Sequence, residues 1–138
     1  MMIHALPAIA QRCPDVLYVV AGAGADESSL RALAKDLGVN DRVQFRGPIA
    51  DRDLIESYQQ CDLFALPNRQ VGWDIEGFGI VLLEAQACGK PVVAGASGGT
   101  VETMHPGVTG EITPCDSPEP LTRICAELLA VPSMRQWR

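Results

Sequence analysis

The stretch VLYVVAGAG, residues 16–24, and the shorter PVVAG, residues 91–95, constrain the fold more than any other feature. Both are apolar without polar alternation, and a strand of that kind has to be covered on both faces, as it is in a parallel sheet. Helical periodicity recurs around them. Met2, Leu6, Ile9 and Ala10 share the face of an opening helix that stops before Pro14, with Pro7 near its start. A second helix is expected from about Glu27 to Leu37, apolar at Leu30, Leu33, Ala34 and Leu37, with Gly38 as its C-cap.

The alternation continues with a strand over 42–47, a helix over 51–61 capped by Asp51, and a strand over 62–68. A helix from about Gly79 to Cys88, a strand over 91–95, a short helix over 99–104, a weak strand in TGEIT and a last helix from Glu119 to Val131 complete the chain. Strands alternating with helices at this spacing imply βαβ units. The expected fold class is α/β, a Rossmann-like open parallel sheet with helices on both faces, in one domain over residues 1–138. A doubly wound domain normally opens on a strand whose C-terminal end lines the ligand crevice; this sequence opens on a helix, so it reads as lacking its first strand.

Composition excludes several function classes. A net charge of −6 supplies no basic field for nucleic acid, and the 11 lysines and arginines form no run suited to an anionic membrane surface. The five cysteines are scattered and never in CxxC spacing, which indicates neither a zinc site nor a disulfide framework and fits a reducing compartment. Cys61 and Cys88, among apolar neighbours, read as small core residues. No apolar stretch reaches the roughly 18 to 20 residues of a membrane span, and the N-terminus lacks the pattern of a signal peptide. A soluble, cytoplasmic protein with a small-molecule partner is expected.

Two glycine-rich turns are candidate sites. AGAGADE, residues 21–27, has Gly22 and Gly24 but Glu27 where a third glycine would stand, so a nicotinamide or flavin fingerprint fails. A tight strand-to-helix turn beside a ligand and a turn that merely needs glycine both remain open there. EGFGIVLLEAQACGKPVVAG, from Glu76, is more informative. Gly77 and Gly79 bare the backbone just before a helix, whose unpaired N–H groups and positive dipole end favour an anionic oxygen. Glu76 and Glu84 bracket that turn; eight residues of helix rise about 12 Å, comparable to the span between the two sugars flanking a diphosphate. An ionised Glu84 in such an apolar context has to be paired or hydrogen-bonded. ASGGTVE, residues 96–102, is a third glycine-rich entry to a helix, open to the same two interpretations.

The segment EGFGIVLLEAQACGKPVVAGASGG resembles the signature of the retaining nucleotide-sugar glycosyltransferases of the GT-B architecture, the large family 4. LYVVAGAGADESSLRALAKDLGVNDRVQFRGPIADRDLIESYQQCDLFALPN follows the C-terminal domain of that family element by element, so nearly the whole chain is covered. The resemblance implies the donor-binding half of a two-domain enzyme that moves a hexose from a nucleoside diphosphate sugar to a glycan, lipid or small-molecule acceptor. It places Glu76, the catalytic candidate, near hydroxyls of the transferred sugar, and Phe78, Gly79 and Ile80 as backbone donors to sugar or phosphate oxygens. Glu84 would hold the ribose, and Gly22, Gly24, Pro48 and Ile49 would lie where the nucleobase packs. No metal or other cofactor is implied.

Two departures matter. The Arg and Lys that meet the diphosphate in this family come from a first strand and loop ahead of Met1, and the acceptor domain is absent, so this chain alone is expected to be inactive. His4 and His105 read as surface or cap residues and Lys90 as a turn residue. The loop RQVGWDIEGFG is long and resembles that of mannosyl transferases acting on phosphatidylinositol glycolipids. Arg69 and Asp74 in it could reach the donor or belong to a surface insertion, and Trp73 reads as a loop anchor. Any membrane association of the whole protein would be peripheral. The rivals are a non-catalytic nucleotide-binding or interaction remnant and, ranked below it, a GT-B-type sugar-nucleotide epimerase.

Overall fold

The structure, a computed structural model, describes residues 1–70, 72 and 77–130. In chain order the elements are α1 (Met2–Arg12), β1 (Tyr18–Ala21), α2 (Glu27–Asp36), β2 (Val43–Gly47), α3 (Asp51–Gln60) and β3 (Phe64–Leu66). They continue with α4 (Ile80–Ala87), β4 (Val92–Gly95), β5 (Gly110–Thr113) and α5 (Pro118–Ala130). Single 3-10 turns lie over Asn40–Arg42 and Gly98–Glu102. The second of these replaces the expected helix over 99–104: Thr103 N–H reaches back three residues to Thr100 O, not four.

All paired strands are parallel, in the expected α/β arrangement. Their hydrogen bonds fall into two groups, β1 with β2 and β3-β4-β5, and no ladder among the described residues joins β1 to β3. Val19 pairs with Gln44 in the first group; Val93 pairs with Ala65 on one side and Glu111 on the other in the second.

Helix α1 packs against both groups. Met2, Ala5 and Ile9 enter a core with Val93, Leu121, Ile124 and Cys125. Ile3 and Leu6 enter another with Ala34 and Val39, against which Tyr18, Val43 and Phe45 pack. One helix therefore uses adjacent apolar stripes for two halves of the sheet. Pro7 stands inside α1, not near its start; the ring removes a backbone donor there, and the helix continues to Arg12 regardless.

Strand β4 is buried at every residue. Its side chains alternate between faces, as the period of a strand requires. Val93 meets α1 and α5, whereas Val92 and Ala94 meet Tyr58 of α3 and Leu82 and Ala85 of α4. Each of these two sheet faces thus carries two helices.

Helices α2 and α4 end alike. Gly38, at φ +68°, and Gly89, at φ +71°, each follow the last turn in the left-handed region. The next residues, Val39 and Lys90, return their N–H groups to Ala34 O at 2.8 Å and Ala85 O at 3.1 Å. The cap expected from Asp51 is corrected: Asp51 is the first helical residue of α3, Ala50 is the cap, and no side chain bonds there. Asp51 and Asp53 still place negative charge in the first turn, which suits the helix dipole. Strand β3 is shorter than expected because Pro67, with no N–H, cannot extend the ladder.

No helix of the described residues is long and apolar enough to cross a membrane. All five cysteines are free thiols; burial pushes Cys61 and Cys115 up from the ordinary value and Cys125 to about 12. A buried thiol held in its protonated form is a packing group and not a nucleophile.

Candidate functional site

The loops at the C-terminal ends of parallel strands form the ligand crevice of a doubly wound domain. Here they are the segments after β1 (Gly22–Gly24), after β2 (Pro48–Ile49), after β3 (through Gly77–Gly79) and after β4 (from Ala96).

The turn into α4 is the most constrained of them. Gly79 is the N-cap residue at φ +73° and ψ +47°, a left-handed conformation that side chains disfavour. A Cβ there would also stand 3.1 Å from both Leu82 Cδ1 and Thr100 Cγ2. Among the described residues no side chain caps α4, and its first turn carries no acidic residue; Leu82 N–H turns back to Gly79 O at 2.9 Å, and the amides of Ile80 and Val81 stand at the partly positive helix start. Gly77 and Phe78 are exposed beside it. Gly77 O accepts a 2.8 Å bond from Gly99 N–H, which ties this turn to the glycine-rich loop after β4.

Asn68 locks the two strand ends under that turn. Its Oδ1 accepts from Gly95 N–H at 2.9 Å, and its Nδ2 donates to Ser97 O at 2.8 Å. Thr100 Oγ1 lies 2.7 Å from both Gly95 O and Ser97 O, and Thr100 is fully buried. Gly95 is required sterically, since a Cβ would overlap the Asn68 carbonyl oxygen. Sequence reasoning missed Asn68 and Thr100; Asn68 acts through partners 27 and 29 residues away, which leaves no local pattern, and Thr100 bonds carbonyls five and three residues before it inside a loop that reads only as glycine-rich.

Glu84 sits on the second turn of α4, exposed, with Oε2 accepting a 2.9 Å hydrogen bond from the Tyr58 hydroxyl. The hydrogen-bonded carboxylate expected from the sequence is present, although Glu84 is at the surface and not within the apolar core. Tyr58 is only 4% exposed and stacks edge-on against Phe64, with ring centroids 5.4 Å apart. Burial, the bond to Glu84 and the Glu84 charge hold its phenol above the ordinary tyrosine value, so it remains a donor at neutral pH. Tyr58 is the third residue that sequence reasoning did not single out.

The first two loops also meet. Gly22 N–H donates to Gly47 O at 2.8 Å, which joins the Gly22–Gly24 turn to the segment carrying Pro48 and Ile49. Pro48 and Ile49 line a cavity of about 530 Å³ with Arg46, Asp53, Glu56 and Ser57. His4 and His105 are exposed, Lys90 sits in the turn that caps α4, and Arg69 is exposed. Glu76, Trp73 and Asp74 lie outside the described residues. Among the described residues, no three His, Cys, Asp or Glu side chains cluster as metal ligands would.

The chain as a whole is similar to known proteins. The chain is 42% identical over 134 residues to a GDP-mannose-dependent alpha-(1-6)-phosphatidylinositol monomannoside mannosyltransferase of Mycolicibacterium smegmatis, which covers 96% of this chain and 35% of that protein. It is 43% identical over 108 residues to a D-inositol 3-phosphate glycosyltransferase of Mycobacterium sp. strain KMS, covering 75% of this chain and 24% of that one. Among solved structures, Anabaena HepE in complex with UDP superposes at a TM-score of 0.82 with 30% identity, over 99% of this chain and 37% of that one. The C-terminal domain of the group 1 glycosyl transferase LpcC of Francisella tularensis superposes at 0.81 with 25% identity, over 99% of this chain and 70% of that one. The chain spans about 35% of the length of the mannosyltransferase relatives it matches. The profile of the glycosyl transferases group 1 matches residues 1–137, and the chain belongs to that family, with the α/β fold of one half of a GT-B enzyme.

Proposed function

We propose that this chain is the donor-binding half of a retaining hexosyltransferase, which holds a nucleoside diphosphate sugar while a second domain presents a glycan or lipid acceptor. The observation that carries the reading is the uncapped start of α4, opened by the Gly77–Gly79 turn, with the Glu84 carboxylate exposed on the next turn of the same helix. Amides at such a start suit a diphosphate, and a carboxylate about one turn further suits the two hydroxyls of a ribose. Phe78, Gly79 and Ile80 then face the phosphate and sugar oxygens, Glu76 the transferred sugar, and the joined Gly22–Gly24 and Pro48–Ile49 segments the base. Identity to GDP-mannose-dependent relatives favours GDP-mannose as donor. Neither a metal ion nor any other cofactor enters the reading.

The unjoined edges of β1 and β3 support a further parallel strand between them, supplied in the whole protein by a segment ahead of residue 1. That strand and its loop would bring the cations that meet the leaving diphosphate, so this chain alone binds the donor without turning it over. Phe78, Ile80, Leu83 and Val101 leave apolar surface around the start of α4, with exposures from 39 to 63%, which supports a facing domain at this edge. No spanning helix enters the reading; any contact of the whole protein with a lipid acceptor is peripheral.

Calorimetric titration with GDP, UDP, ADP and GDP-mannose tests it, repeated on Glu84→Ala. The expected result is binding of GDP and GDP-mannose in preference to the others, weakened in the variant by about 1 to 3 kcal/mol, the range for a hydrogen bond to a charged group. Absence of binding by all four ligands overturns the assignment of a donor site to this chain.

A further inference from the structure

Helix α3 connects the two ends of the site. It starts at Ala50, directly after Pro48 and Ile49, and two turns later it carries Tyr58, whose hydroxyl reaches across to Glu84 on α4. The ring cannot swing, because Tyr58 is 4% exposed and packs with Phe64, Leu82, Ala85 and Val92. Glu84 by contrast is an exposed side chain with three rotatable torsions, and among the described residues the Tyr58 hydroxyl is the one hydrogen-bond partner of its carboxylate. A rigid neutral donor at 2.9 Å therefore selects one rotamer of a mobile carboxylate. It occupies one acceptor position on Oε2 and leaves the remaining lone pairs, those of Oε1 included, for a ligand.

Resting on the donor-site reading above, we propose that Tyr58 is a positioning residue for ribose recognition: it pre-orders Glu84 for the ribose hydroxyls and couples that carboxylate to the base-facing segment at the start of α3. A donor with ribose hydroxyls finds the carboxylate already placed, and less ordering entropy is lost on binding. A nucleotide lacking those hydroxyls gains nothing from Tyr58. A packing role would show no such discrimination.

That difference sets the test. GDP and 2′,3′-dideoxy-GDP are titrated against the wild-type chain, Tyr58→Phe and Glu84→Ala, with thermal unfolding followed in parallel; phenylalanine keeps the ring contact with Phe64. The expected result is a GDP affinity lowered about 3- to 10-fold in Tyr58→Phe, the effect of one net hydrogen bond, with dideoxy-GDP affinity unchanged within about twofold. Equal weakening of both nucleotides, or an unchanged GDP affinity, overturns the proposal. If Glu84→Ala leaves GDP affinity intact, or if the wild-type chain binds neither nucleotide, the donor-site reading fails and this inference fails with it, and those two results are distinct from a failure of Tyr58→Phe alone.

Discussion

Strands β1 and β4 are built from the same kind of residue, YVVA and VVAG, yet they end in different environments. Every residue of β4 is buried, with a strand on each side and two helices on each face. Strand β1 alternates between half-buried and exposed; Val19 is 38% exposed, and Leu17 just before it 55%. An apolar run asks for two covered faces and two paired edges, and among the described residues β1 receives one face and one edge. The candidate site spans both situations. Its α4 side, proposed above for phosphate and ribose, is built on the three-stranded group, whereas the side proposed for the base, at Gly22–Gly24 and Pro48–Ile49, hangs on the two-stranded one. Rigidity in this site is therefore expected to be unequal, greatest where Asn68 and Thr100 lock the ends of β3 and β4.

The strongest way to break that comparison is to substitute one glycine from each side. In Gly95→Ala the new methyl group overlaps a backbone oxygen of Asn68, and neither strand can retreat without losing the bonds from Asn68 and Thr100. A loss on the order of 4 kcal/mol is expected, in the range reserved for severe overpacking. In Gly24→Ala the methyl group meets nothing within 4 Å, and the expected change is within about 0.5 kcal/mol. Urea unfolding of the two variants measures both. A mild Gly95→Ala would show that the lock yields, and the rigidity assigned to the α4 side would go with it.

A smaller contrast comes from the strands and helices themselves. Leu82, on the inner face of α4, is fully buried, so Leu82→Ala should cost about 2 to 5 kcal/mol. Val19→Ala, on the partly exposed outer face of β1, should cost about 1 kcal/mol or less. Comparable losses at the two positions would mean that the outer face of β1 is covered in solution, by a second copy of the chain or by the segment that completes the sheet.

How much of this could be read from the sequence follows from the range of the interactions. The order of elements was legible because apolar runs and helical stripes are local patterns, and Pro14 and Gly38 punctuate them. The division of the strands was not, since which edge finds a partner is no property of the strand's own residues. That Glu84 has to be hydrogen-bonded was legible from its apolar surroundings, but its partner Tyr58 looked like any aromatic on a helix face. Its meaning lies in a partner 26 positions away. Asn68 and Gly95 were read as two strand ends, and only their contact makes one a lock and the other a steric necessity. Glu76, the residue on which the sequence argument leaned most, lies outside the described residues.

The gentlest probe of the two halves is alkaline pH. Burial raises the folded values of Tyr18 in β1, and of Cys115 and Cys125 in the core against β4, with Cys125 reaching about 12 from an ordinary 9.0. Below about pH 8 both folded and unfolded chains keep these protons, and stability does not depend on them. Above it the unfolded chain releases them first, binds fewer protons than the folded one, and stability falls as pH rises toward the folded values. Each fully resisting group contributes at most about 1.4 kcal/mol per pH unit to that slope. Urea midpoints between pH 8 and 11 should therefore decline, and Cys125→Ala should flatten the decline more than Tyr18→Phe, because the thiol on the completed side is the more strongly shifted. Because tyrosine starts to titrate about a unit above a thiol, equal flattening would place Tyr18 in surroundings at least as dry as those of Cys125, against the burial that separates β4 from β1.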